Sequence, residues 1–200
     1  MSSKNVKLIE FIKQNGGFAR YSDLLKAGFY KALINQALES RQIERLSRGV
    51  YSLPGNLDIS HPDFVTVSTM IPKGVICLIS ALSFYEVTDE IPRCIDVAIP
   101  VGTRAKEIHN IPIRYYRFSQ KTWEAGIEEH VIDGHKIKVF NLAKTIADCF
   151  RFRNQIGLDV ARSALKNTLE QKKANHRDIM KYASICRVTR IIKPILETLI

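Results

Sequence analysis

Two hundred residues, 46% hydrophobic and 25% charged, can bury one large core or two small ones, which excludes a disordered or fibrous chain. Thirty Lys and Arg against 20 Asp and Glu leave a formal charge of +10, a balance that attracts polyanions such as nucleic acid or, less often, acidic membrane surfaces. The opening MSSKNVKLIEF is polar and periodic, and the longest apolar-rich stretch, GVICLISALSFYEV, is short and broken by serines, so a cytoplasmic location and no membrane partner are expected.

The charge is unevenly spread. Residues 1–56 carry nine basic and four acidic side chains, residues 57–135 seven and eleven, and residues 136–200 fourteen and five, so two basic ends flank an acidic middle. Cys77, Cys94, Cys149 and Cys186 lie far apart with no C-x-x-C pair, which reads as reduced core thiols.

In chain order, Ser3 can cap a helix in which Val6, Leu8, Ile9 and Ile12 recur at helical spacing until Gly16-Gly17 stops it. A second helix is expected to start at Ser22 as its N-cap and to end at Gly28. A third, from about Tyr30 to Glu39, buries Leu33, Ala37 and Leu38 and turns Lys31, Asn35 and Gln36 outward. IERLSRGVYSL then reads as a short hairpin, with Gly49 supplying the positive φ of its turn, and Pro54 to Pro62 as a linker. Helix, helix, glycine turn, helix and hairpin in 56 residues is the order of a winged helix-turn-helix, expected over 1–56.

Beyond the linker a second domain is expected over 57–200. It should hold a helix at 63–71, a buried strand at 75–79, a short helix from near Ser80, and strands in CIDVAIP and IPIRYYRF. EEHVIDGHKIKVF reads as a hairpin, because Asp133-Gly134 between alternating residues signals a type I′ turn. From Asn141 onward NLAKTIADCFRF, GLDVARSALKNTLEQ, ANHRDIMKYASIC and RIIKPILETLI read as helices, with Pro194 kinking or beginning the last. The fold class is therefore α+β throughout: a winged helix-turn-helix, a small sheet over about 75–140, and a helical tail over about 141–200.

No phosphate-cradling glycine loop or nucleophile elbow is present, so the chain is read as a non-enzyme without catalytic residues, cofactor or metal. His130 and His135 flank a hairpin turn and read as solvated turn residues. Asp89, Glu90, Asp96 and Asp133 keep an alternative open, a metal-dependent nuclease or nucleic-acid-modifying enzyme targeted by the winged domain, although no acid-x-Lys element accompanies them.

The candidate DNA contacts are Arg20, Tyr21 and Ser22 at the second helix, Tyr30, Lys31, Asn35 and Gln36 on the third, and Arg45 and Arg48 on the hairpin. Asparagine can pair bidentately with adenine, whereas arginines on phosphates set register without reading sequence. A helix N-terminus at Ser22 offers a phosphate its free N–H groups. The expected partner is double-stranded operator DNA, an inverted repeat occupied by a dimer or cooperatively, because one winged domain buries little DNA surface. In the tail, Lys166, Lys172, Lys173 and Arg177 leave three readings open: a solvated face, a second phosphate-contacting surface, or a site for an acidic partner.

Three segments carry a family resemblance. SRGVYSLPG is similar to the R-G-x-Y wing of AbiEi-type antitoxins, regulatory partners in type IV toxin-antitoxin systems linked to abortive phage infection. ISALSFYEVTDEIPRCIDVAIP resembles their Ser-Ala-Leu helix, Ile-Pro turn and following strand, and VFNLAKTIADCF their R-T-I-A-D helix, here Lys144 to Asp148. Phe84-Tyr85 stands where that family often has Leu-His, and Lys144 replaces its usual arginine. The resemblance implies a repressor of its own operon that also neutralises a nucleotidyltransferase-like toxin without forming a stable complex with it.

Overall fold

The structure is a computed structural model that describes residues 3–15, 17–47, 49–54, 61–108 and 111–199, with α-helices and β-sheets throughout. The chain divides into two compact units. The first comprises Met1–Met70, Ile108–Asn110 and Val131–Ile137, and the second the remainder.

The first unit runs α1 (Ser3–Gln14), β1 (Phe18–Arg20), α2 (Tyr21–Lys26), α3 (Lys31–Glu39), β2 (Glu44–Ser47), β3 (Val50–Ser52) and α4 (Pro62–Met70). The helix at Pro62–Met70 clusters here, past the boundary at 56 expected from composition. The linker expected between Pro54 and Pro62 falls mostly outside the described residues. On α1, Leu8 and Ile12 are buried while Val6 is 45% exposed, so the expected four-residue apolar stripe narrows to an i, i+4 pair. These two pack with Leu24, Leu33, Ile34, Ala37, Ile43 and Tyr51.

Glycine decides the turn between α2 and α3. Gly28 sits at φ +87, and the Phe29 N–H reaches back to the Leu24 carbonyl at 2.9 Å, closing the helix where a side chain at this φ would be strained. The three strands form an antiparallel sheet in the order β1-β3-β2, with Phe18 opposite Ser52 and Arg45 opposite Tyr51. Gly49 has φ +82, as the hairpin reading requires.

A five-stranded mixed sheet in the order β6-β5-β4-β8-β7 comprises β4 (Val75–Ile76), β5 (Ile95–Pro100), β6 (Ile113–Phe118), β7 (Ile127–Ile132) and β8 (His135–Phe140); it belongs to the second unit except for Val131–Ile137, which cluster with the first. All six residues of β5 are buried, which suits its nearly unbroken apolar run. The hairpin expected at Asp133-Gly134 is present, with both residues at positive φ, 49° and 83°. The strand expected over 75–79 is corrected to Val75–Ile76, because Leu78 turns the backbone at φ 47 and opens α5 (Leu78–Phe84). A short α6 (Gln120–Glu124) joins β6 to β7.

Helices α7 (Leu142–Arg151), α8 (Arg153–Ile156), α9 (Leu158–Glu170), α10 (His176–Ile185) and α11 (Thr189–Glu197) complete the unit, with Pro194 inside α11. Asn141 caps α7 by accepting from the Lys144 N–H at 2.8 Å. Residues 142–150 of this helix are all buried, and it packs against α5, α9 and α10. All four cysteines are unpaired, and Cys77, Cys149 and Cys186 are buried as core thiols. No helix among the described residues is long and apolar enough to cross a membrane.

Candidate nucleic-acid interface

The third helix has two chemically distinct faces. Leu33, Ile34 and Ala37 are buried, while Lys31, Ala32, Asn35, Gln36 and Glu39 are exposed. At 100° per residue, Lys31, Asn35 and Glu39 follow one another along a single line, i, i+4 and i+8. The line runs from cation through amide to anion, so its first two turns suit a polyanion and its last turn repels one. Tyr30 occupies the N-cap in extended conformation without a side-chain capping bond, which leaves its ring 50% exposed beside the first turn.

Lys4, on α1, places its Nζ 5.6 Å from the centre of the Tyr30 ring. This second cation at the α3 N-terminus was not among the sequence candidates. Twenty-six residues separate the pair, and no local pattern links them.

The start of α2 differs from expectation. The helix begins at Tyr21, and Arg20 holds the N-cap position in β conformation with no side-chain capping bond. Ser22 is therefore not the cap. It lies in the first turn, exposed, with its Oγ 3.4 Å from Asp23 Oδ1, because β1 runs straight into the helix and moves its cap two positions earlier. Arg20 is half-buried and donates from Nη2 to the Thr69 carbonyl in the last turn of α4. The Tyr21 N–H donates to the Gly49 carbonyl at 2.8 Å, which ties the start of α2 to the hairpin turn.

On the hairpin, Arg45 is exposed and lies across from buried Tyr51. Burial raises the Tyr51 phenol, and the Arg45 charge partly opposes that shift. Arg48 lies outside the described residues.

The tail candidates do not share one surface feature. Lys172 and Lys173 line a groove of about 1090 Å³ with Tyr85, Asn141 and Tyr182, whereas Lys166 lines a different cleft and pairs with Glu170 at 3.8 Å. The Lys173 ammonium donates to the Tyr85 carbonyl at 2.6 Å and sits 3.9 Å from Glu86. Arg177 is exposed on α10.

The histidines are not solvated turn residues, which corrects the sequence reading. His135 is 7% exposed with its ring edge-on to Phe18 at 5.3 Å. His130 is half-buried, 3.2 Å from the Tyr85 hydroxyl and 3.5 Å from Glu128 Oε2. Asp96 is buried beside Arg114 at 3.8 Å while Asp89 and Glu90 are exposed, and no group of three or more His, Cys, Asp or Glu among the described residues could hold a metal ion.

Tyr85 and Lys144 have clear surroundings. Tyr85 makes the contacts just given. Lys144 is fully buried and ion-paired with Asp148, its Nζ lying 4.2 Å from the Phe140 ring centre and 4.8 Å from that of Phe118. Burial raises the Asp148 carboxyl, and the Lys144 charge and the Cys186 thiol, 3.2 Å from Oδ1, pull it back.

Residues 6–54 match the family model described as transcriptional regulator, AbiEi antitoxin. The match supports the resemblance drawn from the hairpin stretch, and it runs from within α1 through β3, a span that includes the exposed α3 face. No curated protein matches the chain.

Proposed function

We propose that the first unit is a winged helix-turn-helix that binds duplex operator DNA, and that the protein is a cytoplasmic transcriptional repressor of its own operon. The observation that carries this reading is the outward polar face of α3, whose Lys31, Asn35 and Gln36 are exposed over a buried Leu33, Ile34 and Ala37. In this reading residues 1–56 are the DNA-binding domain. Lys31 and Asn35 probe base edges in the major groove, with Gln36 and Tyr30 flanking them. The β2–β3 hairpin is the wing, and Arg45 and Arg48 neutralise phosphates beside the groove. Tyr21 contributes through its backbone link to the hairpin, Ser22 faces the same solvent, and Arg20 orients the start of α2. Two copies occupy an inverted repeat, because one domain of this size buries too little DNA for useful specificity.

Residues 57–200 are the antitoxin-like domain, acting against a nucleotidyltransferase-like toxin without a stable complex, and no step in this account needs catalysis. What supports this half is the resemblance of residues 79–100 and 139–150 to the antitoxin family, together with the word antitoxin in the description of the family matched over residues 6–54.

A gel-shift titration on the chain's own promoter and on random duplex, at several salt concentrations, tests the DNA reading. Arg48→Ala should weaken binding to both duplexes and lower the slope of log affinity against log salt by about one. Equal affinity and slope in the variant would remove the hairpin from the interface. Failure of the parent to bind any duplex at low salt would remove the DNA reading altogether.

A further inference from the structure

The second unit contains a cationic cleft that the DNA reading leaves unused. It encloses about 480 Å³ between the turn after β6, the end of α7 and the end of α10. Lys121, Arg151 and Arg187 line it together with Ser119, Thr122 and Ser184, and none of its lining residues is acidic. The Ser119 and Thr122 hydroxyls bond each other at 2.9 Å, which leaves that of exposed Ser184. None of the three cations takes part in an ion pair among the described residues. Asp148, fully buried behind Cys186 and ion-paired with Lys144, also interacts with the Arg151 charge, so it offsets part of the field in the cleft and leaves Lys121 and Arg187 without an acidic partner among the described residues.

Arg151 is held in place. Its guanidinium carbon lies 5.3 Å from the Phe118 ring centre and 5.4 Å from that of Phe152, which fixes a planar donor fork with little entropy left to lose. Arg151 ends α7 and Arg187 follows α10, and helix C-termini favour one cation each. That preference does not account for the third cation, Lys121, at the start of α6. Three positive charges in a partly enclosed volume repel one another until an anion enters, and forked guanidinium donors match phosphoryl oxygens. The volume is that of a small-molecule site, and the lining offers no aromatic ring to a base.

We propose that this cleft binds the phosphate chain of a small di- or triphosphate ligand, making the second unit a ligand-binding module. The inference does not rest on the DNA-binding reading. Calorimetric titration of the full chain with sodium pyrophosphate, ATP, GTP and adenosine at matched ionic strength tests it. Pyrophosphate and the nucleotides should bind saturably and adenosine should not. Lys121→Glu and Arg187→Glu, both at exposed residues, should each weaken pyrophosphate binding about tenfold or more while leaving the melting temperature of the free protein unchanged. Lys31→Ala, on the α3 face, should leave it unaltered.

Equal affinity for pyrophosphate and nucleotide would identify the phosphate chain alone as the recognised group, and tighter nucleotide binding would identify a nucleotide as its source. The proposal is overturned if pyrophosphate does not bind at millimolar concentration, if adenosine binds as well as ATP, or if Lys31→Ala weakens binding while the two cleft variants do not. Should a cleft variant lose its fold, Ser184→Ala, at an exposed hydroxyl, replaces it with a smaller expected loss of about threefold. An unchanged affinity in that variant would also count against the cleft.

Discussion

Helices α3 and α7 each carry a lysine with a polar residue four positions later, and they use the spacing in opposite ways. On α3, Lys31 and Asn35 are exposed over an apolar inner face. On α7, Lys144 and Asp148 are both entirely buried and paired with each other between aromatic rings. The i, i+4 interval puts two side chains on one side of a helix in both cases. What differs is the neighbourhood: water on α3, and a shell of α5, α9 and α10 around α7. One pair is therefore available to a partner, and the other is a structural group whose charges must satisfy each other.

The sharpest way to break this comparison is to remove half of the buried pair. Lys144→Met leaves the Asp148 carboxyl without its cation inside the core, and such losses cost about 3–5 kcal/mol. Urea denaturation should show that drop, while operator affinity per folded molecule stays at the parent value. The double change Lys144→Met with Asp148→Leu should recover most of the loss, since a packed apolar pair carries no unmet charge. A single variant as stable as the parent would mean that the α7 pair is not a structural group.

Asp96 provides an intermediate case, an acid buried to 2% exposure whose partner Arg114 stays 48% exposed. Burial pushes the Asp96 carboxyl up to about 6, with Arg114 and the N–H groups of Ile79 and Ser80 opposing the rise. In the unfolded chain the group titrates near 3.9. Below about pH 4 both states are protonated; between about pH 4 and 6 the folded state retains a proton that the unfolded state has lost. The contribution to stability is therefore complete at the acid end, falls as pH rises through that window, and levels off above about 6. A gap of this size is worth roughly 3 kcal/mol. Asp96→Asn should remove the slope, so the variant should gain on the parent by roughly that amount between pH 4 and 7 in paired denaturation curves. Parallel curves would show that burial does not control this carboxyl.

On the exposed side, Asn35→Ala should cost about 1–3 kcal/mol on the cognate operator and little on random duplex, the signature of a lost base contact. An equal loss on both duplexes would make Asn35 a positioning residue and leave sequence reading to other parts of the face.

How far such roles were readable beforehand depended on how local their causes are. The outward turn of Lys31, Asn35 and Gln36 follows from the 3.6-residue period alone, and the β7–β8 hairpin follows from two turn residues. β1 was missed because three residues give no period, and its partner β3 lies some thirty positions away. The cap at Ser22 failed for the same reason, since the pairing of Phe18 to Arg20 with β3 moves the start of α2. The R-T-I-A-D-like stretch was legible as a motif, but its burial was not, because the apolar shell comes from helices distant in sequence. Residues 119, 121, 122, 151 and 184–187 form one cleft only after the second unit has folded.

Lys4 is the smallest of these non-local effects and the most informative about the edge of the α3 face. Its ammonium, 5.6 Å from the Tyr30 ring centre, makes an exposed cation–π contact worth about 0.5–1 kcal/mol. Two roles are separable. If Lys4 only steadies Tyr30, Lys4→Gln should weaken operator binding slightly without changing its salt slope, and should add nothing to Tyr30→Ala in a double-mutant cycle. If Lys4 itself meets a phosphate, the slope should fall by up to about one and the two changes should add. The contact lies within cation–π range and Tyr30 makes no capping bond, which favours the first outcome, in which α1 would contribute by holding the ring at the head of α3. An additive cycle with a reduced slope would extend the contact surface from α3 onto α1.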